Sequence, residues 1–427
     1  MPSTNTKRGV FSWALYDWAN SAFATSVMAA FFPVFFKEYW SAGANVELST
    51  FRLGLANSLS SIAVVMLAPI LGAIADQGGI RRKFLLAFAF LGILATGCLY
   101  LISQGNWGLA ILIYVLAAIG FSSANSFYDA LLVEVAERDK SDYISALGYS
   151  LGYLGGGLLF AVNIAMVLYP TFFGLEDPTQ AVRVSFVMVA LWWAVFTIPL
   201  LLWVKESPPR HTHQGWSAIT TGYRQLIKTF REIRRLRITL LFLISYWLYI
   251  DGVDTIVRMA IDYGMSIGFA TDNLLLALAI TQFVGFPASI AFGKLGQRIG
   301  TRAGLFISLA VYLGTTIWGY FLDQVWEFYA LATTIGLVQG GIQALSRSLY
   351  SRLIPHDRAA EFFGFYNMVG KFAAVLGPTL MGWLAVLTGN PRVGILSIAT
   401  LFIAGGICLY FVDEQKGVAA AQRLEAH

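Results

Sequence analysis

Apolar runs of membrane-spanning length recur along the whole chain, and this feature constrains the fold more than any other. A helix crossing about 30 Å of hydrocarbon needs roughly 20 apolar residues. Six such runs lie near 11–36, 52–75, 84–103, 108–131, 146–168 and 183–204. Six more lie near 238–262, 272–293, 303–321, 327–349, 362–386 and 393–412. Charged residues make up only 12% of the 427 and apolar ones 57%, whereas a soluble domain carries about a quarter charged. That leaves too little polar surface to wet a globule, but a lipid-facing surface needs none. The expected fold class is therefore an all-α membrane protein with twelve transmembrane helices. The first run is too long for the core of a cleavable leader, so it is expected to stay as the first span.

Connections such as Gln104-Gly105-Asn106 and Gly389-Asn390-Pro391 are short, so neighbouring spans are expected to be antiparallel hairpins. Lysine and arginine concentrate on alternate connections: Lys7 and Arg8, Arg81 to Lys83, Arg138 and Lys140, Lys294 to Arg302, Arg347 to Arg358, and Lys416 and Arg423. The segment from Lys205 to Arg237 adds eight more to that side, while the other side has only Lys37, Arg52, Arg183, Arg258 and Arg392. Such a bias predicts that both termini are cytoplasmic in a plasma (inner) membrane. It also accounts for the net charge of +5 without a nucleic-acid partner. The 205–237 segment reads as a basic amphipathic linker on an anionic leaflet, with a regulatory or partner site as the rival reading. His211 and His213 lack the further ligands a metal site would need. Cys98 and Cys408 sit in apolar runs and read as small hydrophobes.

The two halves resemble each other. Trp13-x-x-x-Asp17-x-x-Asn20-Ser21 in the first span corresponds to Trp247-x-x-x-Asp251-x-x-Asp254-Thr255 in the seventh. Gly72–Lys83 after the second span corresponds to Gly293–Arg302 after the eighth, with Gly79 matching Gly300. Matches in one order argue for a duplicated unit, so two pseudo-repeated six-helix bundles are expected. Their bounds read as 1–204 and 238–427, the second with a short cytoplasmic tail, joined by 205–237.

The Gly72–Lys83 segment resembles the signature loop between the second and third helices of the major facilitator superfamily. In that superfamily the acid, here Asp76, is thought to meet the N-terminal end of helix eleven, where a positive helix end favours a carboxylate. The second copy carries Gln297 where the acid would be, so a latch would lie in the first half, with Arg81 beside it. Trp13–Trp40 looks like the opening span of the vacuole-effluxer-like permease family, whose yeast members are autophagy-related vacuolar amino-acid effluxers. Further resemblance lies in Ser145–Gly157, Tyr249–Gly264, Gly340–Pro355 and Glu361–Pro378, and it covers essentially the full chain. Position 129, in Phe127-Tyr128-Asp129-Ala130, is aspartate where the family is expected to have asparagine. The resemblance implies secondary active export of neutral amino acids by alternating access. It also implies that the first, fourth, seventh and tenth helices line the central cavity.

The polar residues of the spans gather on those same four helices and the eleventh. An ionisable group in a span costs about 2.5–3.5 kcal/mol on insertion scales, so it usually faces a cavity or a partner. The candidate substrate and cavity residues are Asp17, Asn20, Asn125, Tyr128, Asp251, Asp254, Gln339, Gln343, Asn367 and Lys371. Three roles compete for them. A zwitterion needs an acid for its ammonium and a donor for its carboxylate, which Asp17, Asp251 and Lys371 would supply. Proton coupling needs a cavity carboxylate, and no other cofactor or metal is called for. Gating needs charges that hold the halves together, and Asp76, Arg81, Asp129, Arg258 and Arg347 are the gate or structural candidates. An inner-gate salt bridge between Asp129 and Arg347 is predicted, and Asp254 and Arg258 have the spacing to pair along one helix.

Gly148, Gly152 and Gly156 repeat every four residues and read as a close-packing face. Gly148-Tyr149-Ser150-Leu151-Gly152 matches the nucleophile-elbow pattern, but it sits in an apolar helix and all four histidines lie in loops or the tail. Neither a zinc-protease helix nor a phosphate-cradling loop appears. An enzyme is thus not expected. The expected partners are a small-molecule solute and the lipid bilayer, with the chain acting as a monomer. The alternatives left open are transport of another small polar or amphipathic solute, in either direction, and a non-transporting receptor.

Overall fold

The computed structural model describes residues 6–43, 46–207, 236–372 and 376–425, and no strand occurs among them. Most of the linker therefore lies outside the described residues, including the amphipathic stretch and both of its histidines. Among the described residues, eleven helices are long and apolar enough to cross a membrane. The first bundle holds α1 (Lys7–Trp40), α2 (Val46–Gly78), α3 (Arg81–Cys98), α4 (Trp107–Ala130), α5 (Ser141–Leu168) and α6 (Pro178–Trp203). The second holds α7 (Arg237–Ser266), α8 (Thr271–Ile299), α9 (Thr301–Tyr320), α10 (Val325–Arg352) and α12 (Pro391–Tyr410). Between α10 and α12, the remaining crossing consists of α11a (Ala359–Phe372) and α11b (Leu376–Thr388). The chain is an all-α membrane protein of twelve crossings in two six-helix bundles.

Helix ends follow from local chemistry. Asp177 caps α6, accepting from the Gln180 amide at 2.7 Å, and Pro178 occupies the first turn, where no N–H is needed. Asn390 and Pro391 do the same for α12, with the Arg392 amide 2.9 Å from the Asn390 side chain. Between α2 and α3 the chain turns at Gly79 (φ 59°), and between α8 and α9 at Gly300 (φ 91°). Both need a left-handed backbone that favours glycine, and they are the two positions the repeat aligned.

Two features depart from the expected run of helices. Past Asn20, α1 widens to π-helical winding over Phe23–Phe31 and Phe36–Trp40, on either side of Pro33. Local rewinding of this kind lets a membrane helix tolerate the N–H a proline removes. Within the eleventh run, read as continuous from 362 to 386, the described residues form Ala359–Phe372 and Leu376–Thr388. The amides of Leu376 and Gly377 donate to the Asp251 carboxylate of α7, at 3.0 and 2.8 Å. These two N–H groups are satisfied by an acid rather than by a carbonyl of a preceding turn. The tail also carries a further helix, α13 (Glu414–Glu425).

The bundles meet on the face that carries the cation-rich connections. The small residues Gly72 of α2 and Gly364 of α11a let these helices touch: a Cβ at Gly72 would stand 2.4 Å from the Ala360 carbonyl oxygen, and one at Gly364 2.8 Å from that of Ala68. α5 crosses to α8 and α10. Its hydroxyls bond across the seam, Ser145 to the Ala344 carbonyl and Ser150 to the Phe286 carbonyl, both at 2.8 Å. From Ser141 to Tyr153 these cross-seam partners span about 18 Å of α5 at 1.5 Å per residue, more than half the hydrocarbon.

Candidate substrate and gating site

At the centre of the seam stands Arg347 of α10, 1% exposed. Its Nη1 donates to Asp129 Oδ1 of α4 at 3.0 Å and lies 3.7 Å from Asp17 Oδ2 of α1. Nε donates to the Ser145 hydroxyl at 2.9 Å, and Nη2 to the Ser145 carbonyl at 2.7 Å. The guanidinium also lies 4.3 Å from the Tyr149 ring centre, 5.0 Å from that of Trp13 and 5.2 Å from that of Tyr128. Such faces attract a cation. One arginine thus serves two carboxylates of the opposite bundle, with aromatic rings excluding water around it.

The rest of the site fixes the two acids. The Tyr128 hydroxyl donates to Asp17 Oδ2 at 3.1 Å, and Trp13 Nε1 donates to the Tyr128 carbonyl at 2.9 Å. Trp13 stacks on Tyr128 with ring centres 4.4 Å apart. Asn367 of α11a donates to the second oxygen of Asp129 at 3.2 Å. One turn above Asp17, the Asn20 amide donates to Asn125 of α4. Gly148 leaves room for all of this, since a Cβ there would stand 2.6 Å from the Tyr128 hydroxyl, 3.0 Å from Arg347 and 3.1 Å from Asp17. Gly152 and Gly156 face Ser21 of α1, with Thr25 also against Gly156, in the close packing their spacing implied.

The other sequence candidates fall elsewhere. Gln343 meets the Tyr153 hydroxyl at 3.5 Å, near the upper end of the seam contacts. Asp254 lies within electrostatic reach of Tyr149, Tyr153 and Tyr246. Asp251, read as a cavity acid from its place beside Trp247, turns instead into its own bundle, to the Leu376 and Gly377 amides. Gln339 lines a cavity within the second bundle. The side chains of Arg258 and Lys371 lie outside the described residues, so the Asp254–Arg258 pair and a substrate-facing Lys371 have no geometry to report.

A second charged layer lies nearer the termini. The Asp76 carboxylate accepts from the amides of Ala360 and Glu361, at 3.1 and 2.8 Å, at the start of α11a. Arg81 holds Asp76 through Nε at 2.6 Å, Glu134 at 3.1 Å and the His356 carbonyl at 2.9 Å. Glu206 accepts from the Arg81 and Arg82 amides at 2.9 and 3.2 Å, tying the first residues of the linker to α3. Burial pushes the Glu206 carboxyl above its ordinary value, against the pull of Arg81. Across the seam, Arg352 of α10 bridges Asp142 of α5 at 3.1 Å and the Ser348 hydroxyl meets that of Ser141 at 2.8 Å, while within its own half Arg352 also meets Glu414 of α13 at 3.0 Å. Sequence reading passed over Asp142, Glu134, Glu206 and Tyr149. It counted Arg352 as an anchoring cation, because a charge at a helix end gives no sign of its partner in another helix. Among the described residues no cluster of three metal-ligating side chains occurs.

Two bundles of six helices with a charged seam define the major facilitator transporters, and solved members of that class share the fold. The proton:xylose symporter XylE superposes with a TM-score of 0.75 at 14% identity, covering 98% of each chain. The transporter FucP, in an outward conformation, superposes with a TM-score of 0.73 at 13% identity, covering 95% of this chain and all of that one. The sequence matches the family described as "Vacuole effluxer Atg22 like" over residues 41–138 and 132–422, and the chain belongs to that family. Among its relatives is the uncharacterized MFS-type transporter YxiO of Bacillus subtilis, 38% identical over 420 residues and 96% of each chain. Autophagy-related protein 22 of Yarrowia lipolytica is 26% identical over 475 residues, 90% of this chain and 79% of its own. The chain is a secondary transporter of small molecules and not an enzyme.

Proposed function

We propose that this transporter exports neutral amino acids or similar small solutes from the cytoplasm across the plasma (inner) membrane, driven by a proton gradient. Its termini are cytoplasmic, and 1–204 and 238–427 rock about the seam as two bodies joined by 205–237, within a monomer. The observation that carries this reading is the pair of buried carboxylates, Asp17 and Asp129, on the single guanidinium of Arg347. With both acids ionised the site holds one negative charge in excess. Inside a membrane protein that charge calls for a cancelling cation, and a proton or a solute ammonium group supplies it. Asp129, bonded to Arg347 and Asn367, is the structural member of the pair. Asp17, at 3.7 Å from the arginine, is the exchangeable one. The cluster closes the cytoplasmic side, so taking up a proton at Asp17 loosens the bridge and couples protonation to opening.

The test is efflux of neutral amino acids from proteoliposomes under an imposed pH gradient. Acidifying the far side is expected to speed efflux about tenfold. Asp17→Asn is expected to remove that dependence while leaving gradient-independent exchange of the same solute. Flux in the native protein that ignores the gradient would overturn the proton coupling. Absence of flux with every neutral amino acid would overturn the solute class.

A further inference from the structure

We infer that the second bundle contains a binding site for a small apolar molecule bearing a single hydroxyl or N–H donor, with Gln339 as its polar anchor. The site is a cavity of about 100 Å3 framed by α7, α8, α9, α10 and α12. Its walls are almost wholly apolar, among them Met259, Leu278, Leu331, Ile335 and Ile395. The threonines that reach it have spent their donors: Thr255, Thr281, Thr315 and Thr316 each bond to a carbonyl of their own helix. The Tyr263 hydroxyl is likewise taken, 2.6 Å from the Gly319 carbonyl.

Gln339 differs from these. It is 9% exposed, it lines the cavity, and its side-chain oxygen is buried with no hydrogen-bond partner among the described residues. A buried acceptor left unpaired carries its desolvation penalty, and besides the threonines and Tyr263 the wall has one other polar side chain, Gln282, so a water at Gln339 would find few of the partners it needs. A ligand that fills the apolar volume and donates one hydrogen bond removes both costs at once. Apolar cavities of roughly 150 Å3 bind a molecule the size of benzene, so this smaller space suits a single five-membered ring with one N–H or hydroxyl for the acceptor. A charged or multiply polar solute does not, because its other groups would be buried unpaired. The site stands apart from the Arg347 cluster and does not depend on which solute is transported.

The probes are pyrrole and furan, five-membered rings that share a shape and differ in the N–H donor, followed by saturation-transfer NMR on the purified full-length protein in detergent. Pyrrole is expected to bind saturably and more tightly than furan. Gln339→Leu is expected to weaken pyrrole roughly threefold to tenfold, the loss of one hydrogen bond, and to leave furan unchanged. Ala332→Phe is expected to abolish both by filling the cavity, with Ala260→Leu as a milder filling variant should the first fail to fold. The inference is overturned if the native protein shows only non-saturable partitioning. It is also overturned if Gln339→Leu weakens neither probe or both equally, or if a folded filling variant binds like the native chain.

Discussion

Arg347→Gln is expected to abolish transport and to lower the stability of the purified protein by about 3–5 kcal/mol, the usual cost of stranding a buried charge by removing its partner. Here the cost falls on two acids. Asp129 loses its 3.0 Å bridge and Asp17 the cation 3.7 Å from it, while Ser145 loses two donors. The triple variant Asp17→Asn, Asp129→Asn, Arg347→Gln separates the causes. With no charge left to strand, it should recover most of the thermal stability. It should still fail to transport, because no group remains to trade a proton or an ammonium for the bridge. Arg347→Lys should keep the fold but not full activity, since an ammonium cannot make the same forked contact to Asp129 and Ser145. Thermal unfolding and proteoliposome flux on the same preparations read both quantities.

Gly72→Val is expected to force the two bundles apart on their closed side. The new Cβ would lie 2.4 Å from the Ala360 carbonyl oxygen and 2.9 Å from the Glu361 Cα, both backbone atoms that no rotamer change can move. Overpacking of this kind typically costs 1–3 kcal/mol. That cost applies only while α2 and α11a are in contact, so it shifts the equilibrium toward the open arrangement by roughly fivefold to 150-fold. The Asp76 bonds to Ala360 and Glu361 would break with it. A cysteine placed at Ser145, in a background lacking Cys98 and Cys408, should then react with a water-soluble maleimide from the terminus-bearing side. Without the valine it should be protected.

Much of this architecture was legible because a membrane imposes so coarse a code. The apolar runs appear among the described residues as helices close to their expected positions, and Gly79 and Gly300 turn where the repeat aligned them. Arg347 and Asp129 could be paired in advance because both sit near the same end of helices that should face one another. That Asp17 joins them was less visible. Its spacing put it on the face of α1 shared with Trp13 and Asn20, but nothing in the spacing gives its distance from a residue 330 positions away. Asp251 shows the limit more sharply. The repeat made it the counterpart of Asp17, and both lie in a Trp-x-x-x-Asp stripe. Yet Asp251 accepts from the Leu376 and Gly377 amides inside the apolar run 362–386, where hydropathy records only continuous apolarity and gives no sign of which amides need an acceptor. The Arg352–Asp142 and Arg352–Glu414 bridges escaped for a similar reason, since cations at helix ends were already accounted for by orientation.

The account rests on one claim, that transport requires the seam between α5 and α10 to open. The Ser141 and Ser348 hydroxyls, 2.8 Å apart on opposite bundles, stand where two thiols would meet. In a background lacking Cys98 and Cys408, Ser141→Cys with Ser348→Cys should therefore cross-link the bundles on oxidation. Flux should stop when the disulfide forms and return on reduction, while each single cysteine variant transports under both conditions. Undiminished flux through fully cross-linked protein would contradict the account.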